Sequence, residues 1–581
     1  MLGNIALFEL RYQLRRPIAL ISFLIFGLIT FSITASGGNI PVNSPWRIVV
    51  TFSFFSIFAM FMSLATLSDV ALRDRNSRMD EIIRAQPVRI APYLGAKFAG
   101  AYAVAFMMFL GIALGYAIGG LMPWLSPGSV GPFRFGAYAI GVLLVLAPNL
   151  YATGALFFTV AKLTRSLMAA YLSALLLLIL FVVMALLLRD PAQRTMAALL
   201  DPFGIFAFIL DTMRWTFDQR NGELIPLNGL FVWNRLLWIG IGTGLLALSF
   251  TVFDARERKP RVRGVDAPGT AQPSAMLTRP VVAAGGVGTW EQLVVRTRHE
   301  TRAILRSWSF IILMGLGVIL SMIVLAAFGA TGRLPNPPPS DVVAYAVTSA
   351  MWLVLVLLPI AYGGELIWRD RRAKIAEIID ATPAPTAVFI ASKIAGLGLV
   401  IVGFLVAALV TGVGYQLAKG ATGIEMRFYF VKLVVEAGLP ALMYGILAIF
   451  IQTLVNRKFV GLLFMLTVLL MIAILPELGY DNKLFLPFYI PAAPVTGSNV
   501  LGTYLVWDYL SHALWFVGYW ICVSVLIALV SYMIWVRGSN SFGSRVGRSY
   551  LAVNRVFLIT AAIALAGAIG TGLYIHLNEL I

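Results

Sequence analysis

Residues 73–100 read RDRNSRMDEIIRAQPVRIAPYLGAKFAG, and residues 369–396 read RDRRAKIAEIIDATPAPTAVFIASKIAG. At the constant offset of 296 between positions 73 and 369, an Arg-Asp-Arg triplet, a Glu-Ile-Ile core, a proline, a lysine and a glycine all recur. Each of these two charged segments lies between long apolar stretches. The sequence therefore predicts a duplicated membrane protein with one charged segment in each half, as in transporters built from internal repeats.

The composition is that of a membrane protein. The 581 residues are 60% hydrophobic and 12% charged, with a mean hydropathy of +0.88, whereas soluble domains carry about 25% charged residues. The net charge of +18 comes from basic residues beside apolar stretches, which favours the lipid bilayer over nucleic acid as the partner. The single cysteine, Cys522, excludes an intrachain disulfide and a cysteine-based metal site.

Apolar stretches of about 20 residues predict an all-α polytopic membrane protein made of two parallel six-helix repeats and a thirteenth transmembrane helix. The predicted spans are 18–36, 48–70, 93–121, 134–161, 167–188, 230–252, 308–329, 343–367, 388–417, 430–454, 459–475, 510–535 and 556–575. The corresponding domains are 1–253 (first repeat), 254–288 (a linker rich in Pro, Gly and Ala), 289–536 (second repeat) and 537–581 (the C-terminal segment with the thirteenth span).

The distribution of Lys and Arg predicts the orientation. They cluster before span one, between spans two and three, between spans four and five and after span six, and the second half repeats much of this pattern. Because cytoplasmic loops carry the excess of Lys and Arg, we place the N-terminus, both charged segments and the linker in the cytoplasm. The C-terminus is then periplasmic, and both halves point the same way.

Each half begins with an amphipathic segment. At the offset of 291 between positions 9 and 300, three charged residues recur, and the matched residues are Glu9, Arg11, Arg15, Glu300, Arg302 and Arg306. A basic amphipathic helix next to a span predicts an interfacial elbow helix. The alternative is a charged stop before the membrane.

The charged segments predict a docking element. A helix that carries an acidic residue and an isoleucine pair, and that ends before a proline, offers a partner an apolar surface whose register the charges define. The candidate residues are Asp74, Arg75, Glu81, Ile82, Ile83, Pro87, Asp370, Arg371, Glu377, Ile378, Ile379 and Pro383. The alternative is a solvated loop that only orients the spans, but such a loop has no need of a repeated apolar pair.

A few polar residues and prolines within the spans are candidates for a gate or a translocation path. Asp69 and Glu365 lie near the cytoplasmic ends of spans two and eight, and Glu436 follows Lys432 by one turn in span ten. Charges are expensive in the membrane, so they mark either a path or carboxylates at its edge, and the i, i+4 spacing predicts a Lys432–Glu436 ion pair. Pro148 and Pro440 are predicted to kink spans four and ten.

Two long extracytoplasmic segments, 190–229 and 476–509, complete the predicted layout. Both are partly apolar, and the second contains three prolines. They are interpreted either as lids over a central path or as packing caps.

The charged segments resemble the coupling helix of ABC-2-type export permeases, with an acidic-Ile-Ile core, then Ala-x-Pro, then a Lys at the start of span three. The elbow helices and six spans per half are similar to that family too. The stretches 8–15, 201–204 and 234–238 resemble bacterial permeases whose membrane part is joined to a zinc aminopeptidase. This chain departs from them because it has no HExxH motif, so no peptidase activity is carried over.

The resemblance implies the permease subunit of an ABC exporter in a bacterial inner (cytoplasmic) membrane. Its partners would be two copies of a P-loop ATPase, which hold ATP and magnesium, and a periplasmic peptidase or other export component. The chain itself has no GxxxxGK[ST] motif, and we expect neither catalytic nor metal-binding residues in it. The expected substrate is amphipathic, peptide-like or lipid-like.

Two other functions stay open. One is a secondary transporter of the major facilitator type. The stretch LSDVALRDRNSR at 67–78 faintly resembles the loop signature of that class. The other is a membrane scaffold for a peptidase partner.

Overall fold

The computed structural model is helical and contains no strand in the residues that it describes. The described residues are 2–37, 40–77, 79–86, 89–188, 190–226, 229–257, 288–330, 337–372, 375–382, 384–455, 458–475, 482–497, 499–535 and 553–578. Twelve helices among them are long and apolar enough to cross a membrane. The prediction of an all-α protein with many membrane spans is confirmed at this level.

The helices of the first half are α1 (Leu2–Leu14), α2 (Pro17–Ala35), α3 (Pro45–Asn76), α4 (Asp80–Arg84), α5 (Ile90–Gly119), α6 (Phe135–Thr164), α7 (Leu167–Leu187), α8 (Arg194–Leu200), α9 (Ile205–Thr212), α10 (Phe217–Gly222) and α11 (Leu230–Glu257). Those of the second half are α12 (Thr289–Leu305), α13 (Trp308–Ala330), α14 (Ser340–Arg372), α15 (Ala376–Asp380), α16 (Thr386–Ala418), α17 (Met426–Leu454), α18 (Lys458–Ile474), α19 (Asn499–Met533) and α20 (Arg555–Leu577).

Every predicted span overlaps one of these helices. The eleventh, α18, has 17 residues and is the one that is too short to stand among the twelve candidates. Helix α11 continues to Glu257, past the predicted start of the linker at residue 254. The predicted linker from residue 258 to residue 287 lies outside the described residues.

Local chemistry explains several helix boundaries. The side chains of Ser44, Ser166 and Asn554 accept a backbone N–H at the start of α3, α7 and α20, as N-cap residues do. Arg165 adopts a left-handed backbone conformation with φ of 56° directly after α6. This residue ends α6 and lets α7 begin two residues later.

Contacts within the two halves follow the same scheme. Helix α1 packs on α5 as α12 packs on α16, and α3 packs on α6 as α14 packs on α17. Contacts between the halves are also reciprocal, because α2 touches α18 and α13 touches α7. Leu175 and Ile179 of α7 accordingly belong to the core of the second half, and Val460, Leu463 and Leu466 of α18 to that of the first.

The two prolines predicted to disturb spans four and ten follow π-helical turns. In α6 the turn covers Gly141–Leu146, and Pro148 comes two residues later; in α17 it covers Phe430–Gly438, with Pro440 two residues later. Proline has no N–H and its ring clashes with the preceding turn, so a widened turn accommodates it. The expected irregularity is therefore present in both spans.

A stripe of glycines brings α2 and α5 into direct backbone contact. A Cβ on Gly111, Gly115 or Gly119 would collide with the carbonyl oxygens of Phe23, Gly27 or Phe31. In the second half, Gly403 of α16 has its nearest neighbour 3.7 Å from such a Cβ, on Phe310. The first and third spans of the two halves thus pack differently.

Candidate functional site

The first elbow helix is fastened to the end of α3 by a buried ion pair. Glu9 of α1 is 2% exposed, and Nη1 of Arg73 donates to both of its carboxylate oxygens at 2.8 and 2.9 Å. Asp69, one turn before Arg73, accepts from Arg73 at 3.2 Å and from Arg16 at 2.7 Å. Because charge-assisted bonds are strong, α1 and α3 are held together where the charged segment begins.

A second pair connects the charged segment to α5. Lys97 donates to the buried Asp74 at 2.6 Å, and the Tyr93 hydroxyl donates to the same carboxylate at 3.2 Å. Gly100 faces the elbow helix, and a Cβ there would lie 2.8 Å from Cβ of Glu9. The repeated lysine and glycine therefore serve the docking of α1 and the charged segment on α5.

The second half builds the matching site around one carboxylate. Glu300 of α12 is 1% exposed; it accepts from Arg369 and, at 3.0 Å, from Lys393. Lys393 also donates to the carbonyl of Leu366 and lies 3.7 Å from Asp370. Burial acts to raise the pKa of Glu300, but Lys393 and Arg369 outweigh it and hold that pKa below its usual value.

The predicted elbow residues divide into two groups. Glu9 and Glu300 point into the bundle, whereas Arg11, Arg15, Arg302 and Arg306 are exposed. The interfacial prediction did not anticipate that the acidic residue of each elbow would be the anchor. The sequence did contain a signal for this anchor. Arg73, Lys97 and Gly100 recur in the second half at the offset of 296, and Glu9 recurs there at the offset of 291.

The short helices α4 and α15 each present a small apolar surface. Ile82 is 56% exposed and Ile378 is 70% exposed; three residues earlier, Met79 is 44% and Ile375 is 43% exposed. Positions 79 and 375 correspond at the offset of 296, as do 82 and 378. We call these pairs, Met79 with Ile82 and Ile375 with Ile378, the apolar knobs.

The knobs differ from the predicted docking surface. Ile83 and Ile379, which we expected to be the second member of each exposed pair, are half-buried, because the next residue along so short a helix points to another side. Asp74 and Asp370 face the lysines of span three rather than a partner. Arg75 and Glu377 are exposed and Arg371 lies over the Trp368 ring, whereas the Glu81 side chain, Pro87 and Pro383 lie outside what the structure describes.

In the part of the chain that the structure describes, an even number of candidate spans separates the two knobs. Six candidate spans separate α4 from α15, namely α5, α6, α7, α11, α13 and α14. If each of these helices crosses the membrane, the two knobs lie on the same side of it. We call this side the basic face.

Of the polar residues predicted in the spans, Glu436 and Lys432 form the expected ion pair, at 2.9 Å. The pair also holds the segment after α18, because Lys432 donates to the carbonyl of Ala493 at 2.6 Å and the Ala493 N–H donates to Glu436 at 2.7 Å. Asp69 is part of the elbow network, and Glu365 is half-buried. These contacts are structural; a role in a gate stays a prediction.

A second buried polar network lies around the segment that joins α8 to α9. Asp201 accepts from the N–H groups of Phe203 at 2.9 Å and Phe206 at 2.8 Å. The guanidinium of Arg235 meets the side-chain oxygens of Asn149 and Asn234. The stretches 201–204 and 234–238 therefore lie together, which their letters alone did not predict.

Burial raises the pKa of Asp201 to about 6, against the lowering effect of the two backbone N–H groups. Asn234 also donates to three carbonyls, those of Ala198, Leu199 and Asp201. The segment that contains α8 and α9 is thus fastened to α6 and α11. Together with the Glu436–Ala493 contact in the second half, this favours packing caps over mobile lids.

An apolar cavity lies between the halves. It has a volume of about 70 Å³ and is partly open to the surroundings. Its lining comes from α3, α7, α13, α14 and α18 and includes Leu64, Leu175, Leu357 and Leu466. None of its lining residues is charged. Within the described residues, no group of three or more His, Cys, Asp or Glu side chains is placed to hold a metal ion.

Comparison of the chain with protein-family models, with curated proteins and with solved structures gave no match.

Proposed function

We propose that this chain is the membrane permease subunit of an ABC exporter, and that its apolar knobs bind two copies of a separate P-loop ATPase. The observation that carries the proposal is the pair of knobs. They occupy corresponding positions in a duplicated segment, lie on the same face, and expose isoleucine where a loop that is only solvated has no use for it.

The proposal includes two parallel six-helix repeats, with α20 as a thirteenth span. It is supported by the matching order of elements and by the reciprocal contacts α2–α18 and α13–α7. Helix α20 packs on α19, where Trp515 and Tyr574 stack at 3.8 Å and Cys522 fits against Gly567. The cytoplasm is the side that the knobs face, in the inner membrane of a bacterium.

The ion-pair networks would transmit force from the knobs to the spans. Each knob is preceded by an arginine of span two that is bound to an elbow, and is followed 15 residues later by a lysine of span three that is bound to a carboxylate. Buried ion pairs resist the loss of either partner, so an ATPase that displaces α4 or α15 would move these helices as a unit. ATP and magnesium belong to the ATPase subunits.

The apolar cavity is the proposed start of the translocation path. Helices α3 and α14, which lead directly to the two charged segments, both line it. Movement of the knobs would therefore change its shape. Its lining suits an amphipathic, peptide-like or lipid-like substrate, whereas proton-coupled transport by a secondary transporter relies on ionisable groups in the path.

The test is co-purification of a tagged chain from its native membranes, with mass spectrometry of what accompanies it. We expect a P-loop ATPase with the natural chain and its loss from the double variant Ile82→Asp, Ile378→Asp. Met196→Asp is the matched control, because it places the same charge at an exposed apolar position of α8 on the opposite face. An ATPase retained by the double variant, or absent from the natural chain, would contradict the proposal.

A further inference from the structure

The elbow helices carry arginines that their anchoring does not use. On α1, Arg11 and Arg15 are exposed. No acidic residue in the described part of the chain pairs with either guanidinium. Arg16 next to them is held by Asp69 at 2.7 Å and by the Tyr12 hydroxyl at 2.9 Å. The outer side of α1 thus has two uncompensated positive charges beside one fixed ion pair.

These arginines line an open cleft that reaches both halves. The cleft has a volume of about 780 Å³. Its polar rim is formed by Arg11 and Arg15 with the Tyr12 ring, and its apolar part by Ile18 of α2 and Val460 of α18. An occupant would therefore touch an elbow of the first half and a span of the second.

A corresponding cleft lies beside the second elbow. It has a volume of about 580 Å³ and lies between α12 and α16. Arg298, Arg302 and Arg306 follow one another at intervals of four residues, which places them on one face of α12, and all three are exposed. Leu399 of α16 supplies apolar surface, and the largely exposed Trp290 is at the end of the helix.

We propose that each cleft binds the phosphate of an anionic phospholipid from the leaflet at the basic face. Guanidinium groups bind phosphate oxygens in a bidentate manner, and basic clefts between spans at this level suit anionic head groups. The apolar part of each cleft receives the first methylenes of an acyl chain. Exposed aromatic residues such as Trp290 are typical of this depth in the bilayer.

The choice of a lipid over a soluble phosphate follows from what borders the arginines. The exposed Phe8 lines the first cleft and the exposed Leu399 lines the second, so a soluble anion would leave this apolar surface uncovered. A lipid in the first cleft would also connect the halves through α1 and α18. The inference does not depend on the ATPase proposal, because it concerns residues of α1 and α12 on the side away from the anchoring carboxylates.

The test uses the full chain in nanodiscs of mixed phosphatidylglycerol and phosphatidylcholine, with bound lipids counted by native mass spectrometry. We expect two retained phosphatidylglycerol molecules per chain. Arg11→Gln with Arg15→Gln should remove one of them, as should Arg298→Gln with Arg302→Gln and Arg306→Gln. At about 1 kcal/mol for each basic residue near the surface, the loss of two arginines corresponds to about a 30-fold weaker retention.

The matched control is Arg89→Gln with Arg165→Gln, which removes two exposed arginines of the same face that line neither cleft. It should retain both lipids. If the control loses as much phosphatidylglycerol as the cleft variants, the retention depends only on the overall positive charge, and the proposal is overturned. Equal retention of phosphatidylcholine and phosphatidylglycerol by the natural chain would also overturn it. Displacement of the lipid by millimolar glycerol phosphate would assign the clefts to soluble anions instead.

Discussion

The two elbow helices use the same residue types but distribute the charges differently. In the first half, Glu9 holds Arg73, and Lys97 is bound separately by Asp74. In the second half, Glu300 holds both Arg369 and Lys393, and Asp370 is farther away, at 3.7 Å. The first network is thus divided over two carboxylates, whereas the second depends mainly on one.

The difference shows that a repeated motif can determine where a polar site forms without determining which side chains pair in it. Asp69 draws Arg73 and Arg16 together in the first half, and the second half has Ser307 at the position that corresponds to Arg16. The glycine stripe adds backbone contact between α2 and α5, whereas Gly403 of α16 faces the Phe310 ring of α13. The second elbow should therefore be the more vulnerable of the two to the loss of its acidic residue.

The largest expected effect is that of Glu300→Gln. It leaves Lys393 and Arg369 without their carboxylate in a mostly buried site, and removing one partner of such a pair costs about 3–5 kcal/mol. Glu9→Gln is the matched comparison and should cost less, since Lys97 keeps Asp74 and Arg73 keeps Asp69. Thermal unfolding of both variants in nanodiscs measures the loss of stability. Equal losses for the two variants would contradict the claim that the first network is divided over two carboxylates and the second depends mainly on one.

Substitution of the two lysines should give stability losses in the reverse order, with the larger loss in the first half. Lys97→Met leaves Asp74 with only the Tyr93 hydroxyl among the bonds described here, at an expected cost of about 2–3 kcal/mol. Lys393→Met leaves Glu300 with Arg369 and should cost less. The same unfolding measurement applies, and a larger loss for Lys393→Met would show that the first half does not rely on its separate lysine pair.

Helix packing gives a third contrast. Gly115→Ala forces a Cβ against the carbonyl of Gly27, whereas at Gly403 the nearest atom would be 3.7 Å away. Overpacking of this kind costs about 1–3 kcal/mol, so Gly115→Ala should lower the melting temperature and Gly403→Ala should leave it nearly unchanged. Indistinguishable melting curves for the two variants would refute the close contact of α2 with α5.

The smallest expected effect is the loss of stability of the second elbow in acid. The pKa of Glu300 is lowered in the folded protein, so its stabilisation is complete above the usual glutamate pKa of about 4.3. It is lost as the pH falls through the lower pKa of the folded state. The natural chain should therefore lose more of its stability than Glu300→Gln as the pH falls below about 4; parallel acid profiles would argue against a perturbed Glu300.

Much of the fold was predictable because lipid requires long apolar helices. The spans followed from apolar stretches, and an irregularity in α6 and α17 followed from Pro148 and Pro440, although the sequence predicted a kink and not a widened turn. The partners of Glu9 and Glu300 were not predictable, because helices 64 or more residues apart along the chain must first pack. The outward direction of Ile82 rather than Ile83 was also missed, since a helix of five residues shows no periodicity.

The most direct test of the central claim is the number of ATPase subunits bound to each chain, measured by native mass spectrometry of the purified complex. Two knobs that act independently predict two copies for the natural chain, one for Ile82→Asp alone, one for Ile378→Asp alone and none for the double variant. Two copies retained by either single variant would contradict the claim that each knob binds one ATPase.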